Sequence, residues 1–157
     1  MALLVFLAAA PAKGPAPADT ARLFFLAGDL AKAADWANRG VKDDPKRCRP
    51  LVRALAEYAF LANHTDEFTP SQARDFIEWD KAISPGTPGK ITQPVIDRFV
   101  NAPLKKAEAL KESDKAQAKE ITAHVLEVDP GNAEARSLLR LLGARSRGHM
   151  AVPERRQ

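Results

Sequence analysis

A chain of 157 residues, 45% hydrophobic and 28% charged, holds enough apolar side chain for one folded domain and too much for a disordered polymer. The formal charge of +4 is small, because acids and bases alternate along most of the chain. Its excess sits in Lys46, Arg47, Arg49 and Arg53 and in a tail with Arg140, Arg145, Arg147, Arg155 and Arg156; neither group has interleaved aromatics, which argues against nucleic acid as a partner.

Residues 2–10, ALLVFLAAA, are apolar but too short to span a bilayer, which takes about 20 residues. They match the core of a secretory signal, with Ala8-Ala9-Ala10 or Ala10-Pro11-Ala12 as a small-residue cleavage site, although no positive charge precedes them. An exported protein of a periplasm or cell envelope is therefore expected, a cytoplasmic one being the alternative. Gly14-Pro15-Ala16-Pro17-Ala18 reads as a spacer. The expected organisation is a signal-like segment plus spacer over 1–18, a helical domain over 19–142 and a basic, disordered tail over 143–157.

Asp19 or Thr20 is the expected cap of a first short helix, ARLFFLAG, closed by Gly28. Asp29 caps a second, with Leu30, Ala33, Ala34, Trp36, Ala37 and Val41 at helical spacing, ended by Asp44-Pro45. A third runs from Cys48 to Ala62 with Pro50 in its first turn and a stripe of Leu51, Leu55, Tyr58 and Ala59. After the polar stretch 63–67, Thr69, Pro70 and Gln72 carry the signature of a capping box, opening a fourth helix with Ala73, Phe76, Ile77 and Ile83.

Residues 84–94, SPGTPGKITQP, are rich in proline and glycine and are expected to form an ordered turn region. A short helix with Val95, Ile96, Phe99 and Val100 follows, broken at Asn101-Ala102-Pro103. Three more are expected: Leu104 to Glu112, Asp114 to Glu127 and Ala133 to Leu142.

Residues suited to chemistry are scattered. Cys48 is the only cysteine, so no internal disulfide forms, and a small core residue is a better reading of it than a reactive thiol. His64, Asp66 and Glu67 share a loop without a second histidine beside them; His124 and His149 lie elsewhere. Gly89-Lys90 meets the pattern of a phosphate loop only in part, since Ser84 stands where glycine is required and Ile91 where Ser or Thr is. Asp75, Glu78 and Asp80 read as a solvated helix face, and Trp79 beside them as a core residue. No catalytic residue, metal ligand or cofactor site is assigned, and no enzyme is expected.

Ser113 to Pro130, SDKAQAKEITAHVLEVDP, repeats Gly28 to Pro45, GDLAKAADWANRGVKDDP, without a gap. Asp29 falls on Asp114, Ala33 on Ala118, Trp36 on Ile121, Val41 on Leu126 and Asp44-Pro45 on Asp129-Pro130. With Asn132-Ala133-Glu134-Ala135 after the second copy, and a weaker copy ending at Ser84-Pro85, the pattern resembles the second helix of a tetratricopeptide repeat and its hand-over. The resemblance implies an all-α fold, a short right-handed stack of helical hairpins (an α-solenoid) with a Pro/Gly-rich insertion. It also implies a non-catalytic scaffold or adaptor that holds another protein or peptide in a concave groove. Arg22, Arg53, Tyr58 and Arg98 are the expected exposed anchors there, and the end repeats offer surfaces for self-association. The rival reading is a helical module that grips a polyanion, nucleic acid or cell-wall polymer, through its basic patches.

Overall fold

The computed structural model describes residues 14–143, so the signal reading of 1–12 and the tail reading of 144–157 lie outside the described residues. All regular structure among the described residues is helical: α1 (Pro17–Leu26), α2 (Leu30–Gly40), α3 (Pro45–Ala62), α4 (Pro70–Ile83), α5 (Thr92–Ile96), α6 (Ala102–Leu110), α7 (Lys115–Val128) and α8 (Ala133–Gly143). A 3-10 turn, Thr65–Glu67, and a π-helical segment, Asp97–Asn101, complete the order. None of the described helices is long and apolar enough to cross a membrane.

Helix starts follow the side-chain chemistry closely. The Asp29, Asp44 and Asp114 side chains accept the backbone N–H three residues on, at 3.0, 3.3 and 2.9 Å. Thr69 and Gln72 close the expected capping box: the Gln72 side chain accepts the Thr69 N–H at 2.9 Å, and Thr69 Oγ1 accepts the Gln72 N–H at 3.4 Å. Replacing Asp114 by alanine strands an N–H at the start of α7 and is expected to cost about 1 kcal/mol in chemical denaturation, with Asp29→Ala costing the same.

Several boundaries differ from the sequence expectation, each time because proline opens a helix more readily than it ends one. Helix α1 starts at Pro17 rather than beyond Asp19 or Thr20, so Pro17 and the buried Ala18 belong to the helical domain and not to the spacer. Helix α2 stops at Gly40, and Asp44-Pro45 begins α3 instead of ending α2. Pro50 then lies inside α3, not in its first turn.

The largest correction concerns Asn101-Ala102-Pro103, which does not break the chain's helical path. Helical structure continues from Thr92 to Leu110 by way of the π segment. Within it the Ala102 N–H reaches back to the Asp97 carbonyl. Pro103 brings no N–H and crowds the carbonyl one turn earlier; widening the preceding turn by a residue lets the helix pass it.

The chain separates into two compact units. One comprises the residues up to Asn63 together with Glu78–Thr92; the other comprises His64–Ile77 and the residues from Gln93 onward. Within the first, α1 packs on α2 and α2 on α3; within the second, α6 packs on α7 and α7 on α8.

These two triplets of helices match at most of their buried positions. Between α2 and α7, Ala33 matches Ala118, Ala37 matches Thr122 and Gly40 matches Val125, all buried; Trp36 and Ile121 are both half-buried. The α1–α6 correspondence runs one position further along: Pro17 with Pro103 in the first turn, Ala18 with Leu104 and Ala21 with Ala107, the latter two pairs buried. From α3 to α8 it slips one more, pairing Cys48 with Ala135, Leu51 with Leu138 and Leu55 with Leu142, all buried. The copy seen in the middle helix therefore extends to both of its neighbours, with a drift of one residue at the first connection and two at the second.

Candidate functional site

Of the expected anchors, Tyr58 is corrected outright. It is fully buried, because it continues the apolar stripe of α3 and stacks edge-on against Phe25 at 4.8 Å between ring centroids. Arg22 is half-buried and already engaged: its Nε donates to the Ile83 carbonyl at 2.9 Å, and its guanidinium meets Asp19 at 3.3 Å. Arg53 and Arg98 are exposed, in different units.

In the first unit the Pro/Gly-rich stretch is pinned by a buried polar cluster. Asp80 Oδ1 accepts the Gly89 N–H at 2.9 Å and the Thr92 hydroxyl, and the Tyr58 hydroxyl lies 2.7 Å from Thr92 Oγ1. Since Thr92 donates to Asp80, Tyr58 donates to Thr92. Burial pushes the Asp80 carboxyl above its usual range against those two hydrogen bonds, and burial likewise pushes the Tyr58 phenol up. A β-carbon on Gly89 would sit 2.9 Å from the Phe25 ring, so glycine lets the loop close on the core. These contacts make the cluster a clasp that holds the Pro/Gly-rich loop. Asp80 is thus not part of a solvated face.

Cys48 is buried too, and desolvation raises its thiol pKa, reinforced by the Asp44 carboxylate and only partly opposed by Arg47. Trp79 is half-buried rather than in the core, and borders a shallow groove with Arg49 and Arg53. His64, Asp66 and Glu67 are exposed around the 3-10 turn.

The second unit holds the candidate site, an open groove of about 450 Å3. Its floor is apolar, made by Ile121, Val125 and Val128 of α7. Phe99 of the π segment and Pro103 of α6 form the facing wall, and Pro70 lies at one side. Arg98 and Lys106 carry the charges along it, with the His124 side chain beside them, all exposed, and none of its lining residues is acidic. The Arg98 guanidinium is held 5.0 Å from the centre of the Phe99 ring and donates to the Asp66 carbonyl at 2.8 Å. Such a groove can seat an apolar group and receive an anionic one at its edge.

Sequence reasoning named Arg98 alone among these residues. Arg98, Ala102 and Lys106 stand four apart, as on one face of a single helix, but a presumed break at Pro103 hid the pattern. Ile121, His124, Val125 and Val128 show the same periodicity on α7. The first unit has no comparable apolar floor, since Gly40 and Asp43 occupy the places of Val125 and Val128. Compared with protein-family models, characterised proteins and solved structures, the chain has no significant match to any.

Proposed function

We propose that this protein is a non-catalytic interaction module built from two degenerate tetratricopeptide-like repeats, which scaffolds an assembly by holding a segment of a partner protein. The observation that carries the reading is the apolar groove of the second unit, formed where one copy of a duplicated helical triplet departs from the other. Duplicated helical pairs with a groove on one face suit peptide capture, and an apolar floor suits side chains rather than a phosphate or sugar backbone. The apolar run at residues 2–10 supports a place in an exported or envelope-bound assembly.

Affinity capture from native lysate tests the reading. The wild-type chain is expected to retain at least one protein reproducibly, and Ile121→Glu, which places a charge on the groove floor, is expected to release it while the helical circular dichroism is unchanged. No reproducible protein partner would refute the proposal. The basic edge favours a second reading, a polyanion-binding module; heparin retention that falls steeply with salt and ignores Ile121→Glu would favour it.

A further inference from the structure

Resting on that reading, we infer that the groove of the second unit selects an acidic amphipathic segment: a bulky apolar side chain seated between Ile121, Phe99 and Pro103, with carboxylates of the same partner facing Lys106, His124 and Arg98. Two independent observations point to this chemistry.

The first is charge. The chain carries 20 acidic residues against 24 lysines and arginines, yet every charged residue that lines the groove is basic. Lys106 and His124 are exposed on α6 and α7 and line the same groove, so the Lys106 charge and the His124 imidazole meet an incoming segment together. An edge of one sign around an apolar floor attracts carboxylates and rejects lysine-rich segments. The same edge disfavours the chain's own residues 144–157 as occupant, since these carry Arg145, Arg147, Arg155 and Arg156 against Glu154.

The second is the comparison between the repeats. At the places of Trp36, Arg39 and Gly40 on α2, and of Asp43 just beyond it, helix α7 carries Ile121, His124, Val125 and Val128. The acid of the first copy is gone, and an aliphatic floor has replaced glycine and aspartate. Upstream, helix α1 starts at Pro17, whereas α6 is preceded by the π segment, which brings Arg98 and Phe99 to the groove. The second copy therefore has an apolar floor, and the π segment gives it a basic wall.

Selection of a random dodecapeptide library displayed on phage against the full chain tests this directly. Enriched peptides are expected to combine Asp or Glu with Leu, Ile, Phe or Trp. For the strongest of them, the exposed double substitution Lys106→Glu/His124→Glu is expected to weaken binding about tenfold or more, and a peptide with its acids changed to lysine is expected to recover it. Arg53→Glu, in the other unit, is expected to leave affinity unchanged. Enrichment of neutral or basic peptides, or acidic peptides indifferent to the double substitution, overturns the inference while leaving a peptide-binding module standing. Absence of any enrichment overturns both, and equal competition by heparin assigns the edge to polyanions instead. A dimer detected by light scattering, and lost with Lys106→Glu/His124→Glu, would make a second copy the occupant and likewise overturn the inference.

Discussion

Replacing Asp80 by alanine is expected to destabilise the protein by about 3 kcal/mol in urea denaturation, because it strands two buried donors at once. The Gly89 N–H and the Thr92 hydroxyl both lose their acceptor, and the Tyr58 hydroxyl loses the ordered partner that Thr92 gives it. Asp80→Asn keeps an acceptor oxygen in place and removes a charge that burial disfavours, so its cost is expected to stay within about 1 kcal/mol.

The two variants also separate by pH. The folded-state pKa of Asp80 is raised, so the unfolded chain ionises first as pH climbs. Its favourable contribution is therefore complete below the ordinary carboxylate pKa and is lost as pH rises through the raised value. Wild type is expected to lose stability relative to Asp80→Asn over that interval and to run parallel to it above. A gap that narrows with rising pH would show that the clasp stabilises the ionised form.

Gly40→Ala is expected to cost about 2 kcal/mol, although the change adds one methyl group to a helix. A β-carbon there would lie 2.5 Å from the Cys48 sulfur and 2.7 Å from the Pro17 β-carbon, so α1 and α3 must both give way. The second unit shows how the conflict is relieved, since Val125 stands in the place of Gly40 and Ala135 in that of Cys48. Cys48→Ala alone leaves a small cavity and is expected to cost about 1 kcal/mol. In the double variant the costs should not add; a recovery of about 1 kcal/mol relative to the sum is expected from residues in direct contact. Strict additivity would mean that the clash is borne entirely by Pro17.

Much of the helical organisation was legible because caps and stripes are local. Asp29, Asp114, Thr69 and Gln72 announce their helices in sequence and form the expected bonds. Asp80 was misread although its place was visible: with Ala73, Phe76, Ile77 and Ile83 it completes the buried face of α4, and its charge obscured the periodicity. Tyr58 shows the converse, since the α3 stripe marked it as core although it was also expected as an exposed anchor; the buried hydroxyl of Thr92, 34 residues on, meets its hydroxyl. That pairing depends on tertiary structure and leaves no local trace. The groove was the least legible part, because it depends on a π turn that lets helical structure continue across a proline normally read as a stop.

The drift between the two triplets is confined to the connections. Most matched residues keep their burial along each helix, the buried Ala54 against the exposed Leu141 being an exception, while the pairing slips by one position at the first connection and two at the second. An ungapped comparison therefore finds only the middle pair.

The π turn has a consequence of its own for how such a groove changes over time. An α-helix rotates by about 100° per residue, so losing the surplus residue would swing everything upstream, Arg98 and Phe99 included, away from its present heading. Helices α6, α7 and α8 lie downstream and would keep their mutual fit. One inserted or deleted position can thus redraw the recognition wall while α6, α7 and α8 keep their packing on one another.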